Sequence, residues 1–425
     1  MHTPKIGPSR QGENLNWHVL GPGEPALTEW AALGLDLPDR DVIRRYRLQR
    51  VRDQLAKHDY AGIVLADPLN VRYATDSTNM QVWILHNANR YCFVPTEGPV
   101  VMFEFSATDF LNFPFELIDE VRPATSWYYF AAGSTYREKA EQWAAEIAGL
   151  VREHGSGNTR IAIDRVNPEG VVALEELGVR VHNGEEVMER ARAVKSPEEI
   201  KAMQCAIAAA ETAMGLMHQH LQPGVTEQRL WSHLHAENIA RGGEWIETRL
   251  LASGPRTNPW YQECSSRVIE DGDLVAFDTD LIGTYGVCVD ISRTWLCGSE
   301  HPTAEQREIH ELAQEQIDRN TTLLQPGVTF SELTHRSFVP DDETYRHYTS
   351  LYHGVGLCDE YPVIVFPDEW DDVGYDGELE PGMVICVESY VGRRDGREGV
   401  KLEEQVLITD AGPEVLSNYP LGLAG

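Results

Sequence analysis

No two cysteines of this 425-residue chain form a CxxC pair: Cys92, Cys205, Cys264, Cys288, Cys297, Cys358 and Cys386 stand singly. That spacing excludes a zinc knuckle and a disulfide framework, and it predicts reduced thiols in a core. Long apolar runs are also missing. Stretches such as Gly62 to Ala66 and Val384 to Val387 fall far short of a membrane span, and the opening MHTPKIGPSR lacks the apolar centre of a signal peptide. A cytoplasmic protein without a membrane partner is expected. Positive charge is scarce too, with 36 Lys and Arg against 67 Asp and Glu, a formal net charge of −31. Nucleic acids and anionic surfaces need a basic face, so neither is an expected partner. The short basic run Arg44, Arg45, Arg47, Arg50 and Arg52 alternates with Val42, Ile43, Tyr46, Leu48 and Val51, and reads as the wet side of an amphipathic helix.

What is present is enough apolar content, 42%, to bury a large core in more than one domain. After an irregular arm to about Pro38, helix patterns at 41–58 and 136–152 alternate with short strands at 63–65, 91–94, 100–103 and 161–163, the pattern of an α/β domain. Ser196-Pro197-Glu198-Glu199 is a capping box with proline at the first helical position, so a second domain is placed at 195–425, after a first at 1–194. This second domain repeats itself. Leu221-Gln222-Pro223-Gly224-Val225-Thr226 recurs as Leu324-Gln325-Pro326-Gly327-Val328-Thr329, and the turn glycine, apolar strand and acid of 272–278 recur at 382–388. The fold class is therefore α+β, with an internal duplication whose halves face each other across a pseudo-two-fold axis.

Each copy ends its apolar strand in an acid, a costly choice unless a cation is near. Asp278 and Asp280 share one face of a strand, and a hairpin centred near Tyr285 brings Asp290 opposite Asp280. In the second copy Glu388 is followed by a charged turn and by Glu403 on a return strand at 400–408. Converging carboxylates cannot all stay ionised without cations, and His353 adds one nitrogen donor. More donors than a single tetrahedral ion uses point to two adjacent divalent metal ions, with iron, manganese, cobalt or zinc all compatible.

These residues resemble the pita-bread metalloenzymes, the superfamily of methionine aminopeptidase, aminopeptidase P, prolidase and creatinase. The resemblance rests on Asp278 with Asp290-Ile291-Ser292-Arg293-Thr294, on His353-Gly354-Val355-Gly356-Leu357, and on Glu388 with Leu402-Glu403-Glu404. It implies a creatinase-like N-terminal domain, a pita-bread C-terminal domain, and Asp278, Asp290, His353, Glu388 and Glu403 as metal ligands, with Arg293 bracing them from behind.

Three departures turn the reading away from peptidases. Asp280 stands where the proline-specific enzymes have glycine and adds a sixth potential ligand, Trp260 falls where they have an assisting histidine, and Asp359 falls where they have a second one. This pattern is similar to the dimethylsulfoniopropionate lyases of the DddP type. That resemblance implies β-elimination of a small zwitterionic substrate to dimethyl sulfide and acrylate, with Asp359 as base and iron first among the metals. It also implies aromatic contacts for the sulfonium from Tyr348, Trp260 and Trp83, the last acting across a homodimer. A hydrolase of Xaa-Pro dipeptides or of a creatine-like amide is the alternative, and a silent binding module is disfavoured by the complete ligand set.

Overall fold

The computed structural model describes residues 20–105, 108–298 and 301–424. The chain divides into two compact units, one over 39–192 and one combining 20–38 with 193–425. The stretch at 20–38 was expected with the first domain. It belongs with the second because Trp30 on helix Glu24–Leu33 is buried against Cys205 and Ala209, with Tyr285 stacked 6.1 Å away. Residues 1–19 of the expected arm lie outside the described residues.

The first unit is a six-stranded mixed sheet in the order Glu120–Pro123, Val101–Glu104, Tyr91–Pro95, Gly62–Leu65, Arg160–Ile163, Arg180–Asn183. Helix Tyr136–His154 lays Trp143, Ala144, Ile147 and Val151 on it, against Val64, Phe93, Phe103 and Ile161. Helix Arg40–Lys57 is less simply amphipathic than its basic run suggests. Arg47 is buried with its guanidinium over the Tyr73 ring, Arg44 pairs with Asp76, and Arg50 donates to the carbonyls of Arg190 and Ala191. These arginines anchor the helix because their long apolar stems can be buried while the heads find acceptors.

In the second unit the duplication is visible as repeated local structure. Gly224 and Gly327 both take positive φ, 100° and 80°. The threonine two residues on then caps a helix in each copy: Thr226 caps Glu227–Ala240 and Thr329 caps Phe330–Arg336. The capping box at Ser196 opens helix Pro197–Gln219 as expected. Strands Leu274–Asp278 and Ser292–Leu296 form one antiparallel pair, and Val384–Arg393 and Gly399–Thr409 form another. The pairs are stitched together where Thr294 Oγ1 donates to the Lys401 carbonyl at 2.9 Å and accepts from the Lys401 amide at 3.0 Å. The apolar core of this unit gathers Ile309, Phe330, Tyr352, Ile385 and Val406 under that layer.

Candidate metal centre

The first hairpin keeps one register throughout: Asp278 is opposite Ser292, and Leu281 is opposite Val289, so Asp280 stands opposite Asp290. The strand does not run straight through, however. Asp280 has φ 38°, in the left-handed region that glycine tolerates and aspartate adopts at a cost. That kink, rather than simple strand alternation, swings its carboxylate back, and donor oxygens of Asp278, Asp280 and Asp290 lie within 4.8 Å of one another. Thr248 donates its hydroxyl to Asp280 Oδ2 and fixes the side chain.

His353 sits on strand Tyr352–Val355 between Asp359–Ile364 and Val384–Arg393. The next residue must be glycine, since a Cβ on Gly354 would collide with the Tyr361 carbonyl oxygen. His353 Nδ1 lies 3.1 Å from the Gly354 carbonyl, which accepts its proton and turns Nε2 toward the acids. From Nε2 it is 3.1 Å to Glu388 Oε1 and 3.5 Å to both Asp290 Oδ2 and Glu403 Oε1.

Burial and mutual repulsion set the charge states here. Burial, then Asp278, push Asp280 well above the usual carboxylate range, and burial, then Glu403, do the same to Asp290. Glu388 is pushed up to about 7 by burial and by Glu403. For Glu403 burial acts in the same sense but loses, because Lys401 and His353 hold it well below the ordinary value. Among the described residues, Asp290 Oδ1 and Glu403 Oε1 are buried with no hydrogen-bond partner. Orphaned carboxyl oxygens around one imidazole nitrogen fit divalent cations: a cation supplies the missing partner and removes the conflict between the acids. Asp278, Asp280, Asp290, His353, Glu388 and Glu403 could therefore hold two such ions.

The other sequence-predicted residues are less uniformly placed. Asp359 begins its strand with a side chain 54% exposed, and its Oδ1 is 3.8 Å from His353 Nδ1. Tyr348 is stacked with Tyr261 at 5.2 Å and has the Lys401 ammonium 4.5 Å from its ring centre. Trp260 is 5% exposed and packed on Tyr390 in a small cluster that Tyr348 joins. Trp83 belongs to the first unit, on helix Gln81–His86, 37% exposed and tilted against Phe105. Arg293 is wholly buried behind the acid cluster, donating to the backbone carbonyls of Ser292 and Glu403 and to the Glu404 carboxylate.

Sequence reasoning missed Lys401 and Ser292, both inside the acid cluster. Ser292 Oγ donates to Asp278 Oδ1 at 2.7 Å, and Lys401 Nζ lies 2.6 Å from Glu388 Oε2 and 3.0 Å from Glu403 Oε2. The signal for the lysine was available, since residues 401 and 403 share one face of a strand.

Residues 47–194 match the Creatinase/Prolidase N-terminal domain, and residues 201–410 match Metallopeptidase family M24. The chain is thus an enzyme of the pita-bread class, with the creatinase-like domain before the duplicated one. Among solved structures, an X-Pro aminopeptidase from Thermotoga maritima superposes with TM-score 0.72 at 21% identity, covering 89% of this chain and 99% of that one. The Xaa-Pro dipeptidase from Bacillus anthracis does so with TM-score 0.70 at 22%, covering 89% and 98%. At that identity they show the fold alone. The sequence relatives go further. This chain is 46% identical over 431 residues to the dimethylsulfoniopropionate lyase DddP of Roseovarius nubinhibens, covering 98% of this chain and 97% of that one. It is 43% identical to the protein of that name from Roseobacter denitrificans, covering 98% and 96%. The chain belongs to the DddP family of dimethylsulfoniopropionate lyases.

Proposed function

We propose that this enzyme cleaves dimethylsulfoniopropionate to dimethyl sulfide and acrylate by β-elimination, with Asp359 as the base. The observation that supports the base assignment is the position of its carboxylate: solvent-accessible, on the hairpin beside His353, at the edge of the buried acids. Bound at Asp278, Asp280, Asp290, His353, Glu388 and Glu403, two divalent ions, iron by family resemblance, would supply the positive charge that holds a substrate carboxylate and stabilises charge spreading from Cα. Asp359 takes the Cα proton, the C–H electron pair becomes the Cα–Cβ double bond, and the Cβ–S pair leaves on sulfur as the neutral sulfide. Tyr348 and Trp260 provide aromatic surface for the sulfonium, joined by Trp83 of the partner subunit in a homodimer.

The test is headspace detection of dimethyl sulfide from dimethylsulfoniopropionate, with metal content measured alongside. Asp359→Ala should lower the rate by about 10²- to 10⁴-fold, the range for a lost general base, and should keep both ions. Loss of metal in that variant would make Asp359 an orienting partner of His353 instead. No sulfide from the wild type, together with release of proline from an Xaa-Pro dipeptide, would replace the lyase with the hydrolase reading.

A further inference from the structure

We propose that Lys401 is the standing counter-ion and positioning residue of the acid cluster: it keeps the site folded before metal enters and turns one oxygen of each neighbouring carboxylate toward the ions. The inference rests on the two-metal reading above.

Lys401 is completely buried, with its ammonium among oxygen acceptors and 4.5 Å from the centre of the Tyr348 ring. Nζ is 2.6 Å from Glu388 Oε2, 2.7 Å from Ser292 Oγ, 3.0 Å from Glu403 Oε2 and 3.3 Å from Asp278 Oδ2. An ammonium has three protons, and these acceptors use all of them, so none is left for a substrate. The two glutamates are divided in the same way. Each gives Oε2 to Lys401, while its Oε1 faces His353 Nε2, at 3.1 Å for Glu388 and 3.5 Å for Glu403. The lysine therefore decides which oxygen is free for a metal.

Charge balance gives it a second role. Asp278, Asp280, Asp290, Glu388 and Glu403 are five carboxylates, all buried. Two divalent ions supply four positive charges and Lys401 the fifth, so the loaded site is neutral. With the ions removed, Lys401 is the one cationic side chain in contact with these acids, among the described residues, that does not depend on the protonation of His353. Removing it takes the ammonium partner from buried Glu388, Glu403 and Asp278, which costs far more than an ordinary packing change.

The test is calorimetric melting of the whole enzyme after dialysis against a chelator, and again after reloading with manganese(II), for wild type, Lys401→Met, Lys401→Arg and Lys401→Met/Glu388→Gln. Metal-free Lys401→Met should melt about 10 °C below metal-free wild type. Reloading should return most of that deficit, Lys401→Arg should stay near wild type, and the double variant should recover part of the loss without metal. An unchanged metal-free melt, or the same deficit with and without metal, would reduce Lys401 to a packing residue. So would a Lys401→Met chain that is insoluble and that Glu388→Gln does not rescue. A wild type that retains no metal and whose melt ignores manganese would overturn the two-metal reading itself, and the proposal with it.

Discussion

Glu388 stands directly opposite Glu403 across the antiparallel strands Val384–Arg393 and Gly399–Thr409. Like charges in that relation destabilise a sheet unless something sits between them. Glu403 divides its oxygens between Lys401 and the imidazole side, so Glu403→Gln can keep one hydrogen bond of the pair while losing the charge. The expected result is a folded protein with fewer than two metal ions per chain by elemental analysis and activity lower by about 100-fold or more, as for loss of several kcal/mol of electrostatic stabilisation. Full metal occupancy in this variant would remove Glu403 from the ligand set.

Asp280 gives a sharper test because its backbone and its side chain ask for opposite things. At φ 38° glycine is the better residue, yet the carboxylate points into the cluster. Asp280→Gly should therefore fold at least as stably as Asp280→Ala, by about 1 kcal/mol, while both lose metal and activity alike. Chemical denaturation of the metal-free proteins reads the first difference, and metal analysis reads the second. If alanine proved the more stable, the strain at this position would be absent.

How much of this could be read beforehand differs residue by residue. The hairpin register that opposes Asp280 and Asp290 follows from counting about Tyr285, because strand pairing is set by turn position. The repeated turns were equally plain, since a positive-φ glycine followed by a capping threonine leaves a recognisable string. The kink at Asp280 was not readable, because local spacing suggested a continuous strand and only the tertiary pull of Thr248 and the cluster bends it. Lys401 was passed over for another reason: it shares a strand face with Glu403, but an isolated lysine near a turn looks like surface unless that shared face is counted. The placement of 20–38 depends on Trp30 meeting Cys205 and Ala209, a contact between residues far apart in the sequence that no local pattern announces.

In the first unit Asp164 predicts a pH effect independent of the metal site. Its carboxylate accepts from the Ala66 and Asp67 amides and from Asn70 Nδ2, but burial outweighs these bonds and pushes it up to about 6. A folded value above the unfolded 3.8 means the native state holds the proton more tightly. The stabilisation is then fully present below about pH 4 and is lost as pH rises through about 6. The unfolding free energy of wild type from urea titration should fall between pH 4 and 7 by on the order of 2 kcal/mol more than that of Asp164→Asn. Parallel curves for the two proteins would rule this out.

Arg293 ties the acid-bearing strands to residues 419–420, donating to the carbonyls of Glu403, Tyr419 and Pro420 as well as to Glu404. Arg293→Met leaves the buried Glu404 unpaired, with an expected loss of about 3–5 kcal/mol in thermal or denaturant unfolding. Adding Glu404→Gln to that variant should restore a measurable part of it. No recovery in the double variant would mean that the backbone carbonyls, and not the carboxylate, carry the interaction.

The duplicated architecture has a practical consequence for taking the molecule apart. Asp278, Asp280 and Asp290 come from the first copy, and His353, Glu388 and Glu403 come from the second. On the proposed ligand set neither copy is complete, so two separately expressed fragments divided between helix Ala304–Thr321 and strand Tyr352–Val355 would each bind metal poorly. Mixed together they would share one set, and reassembly of a split enzyme would be reported by the ions it retains rather than by any tag attached to it.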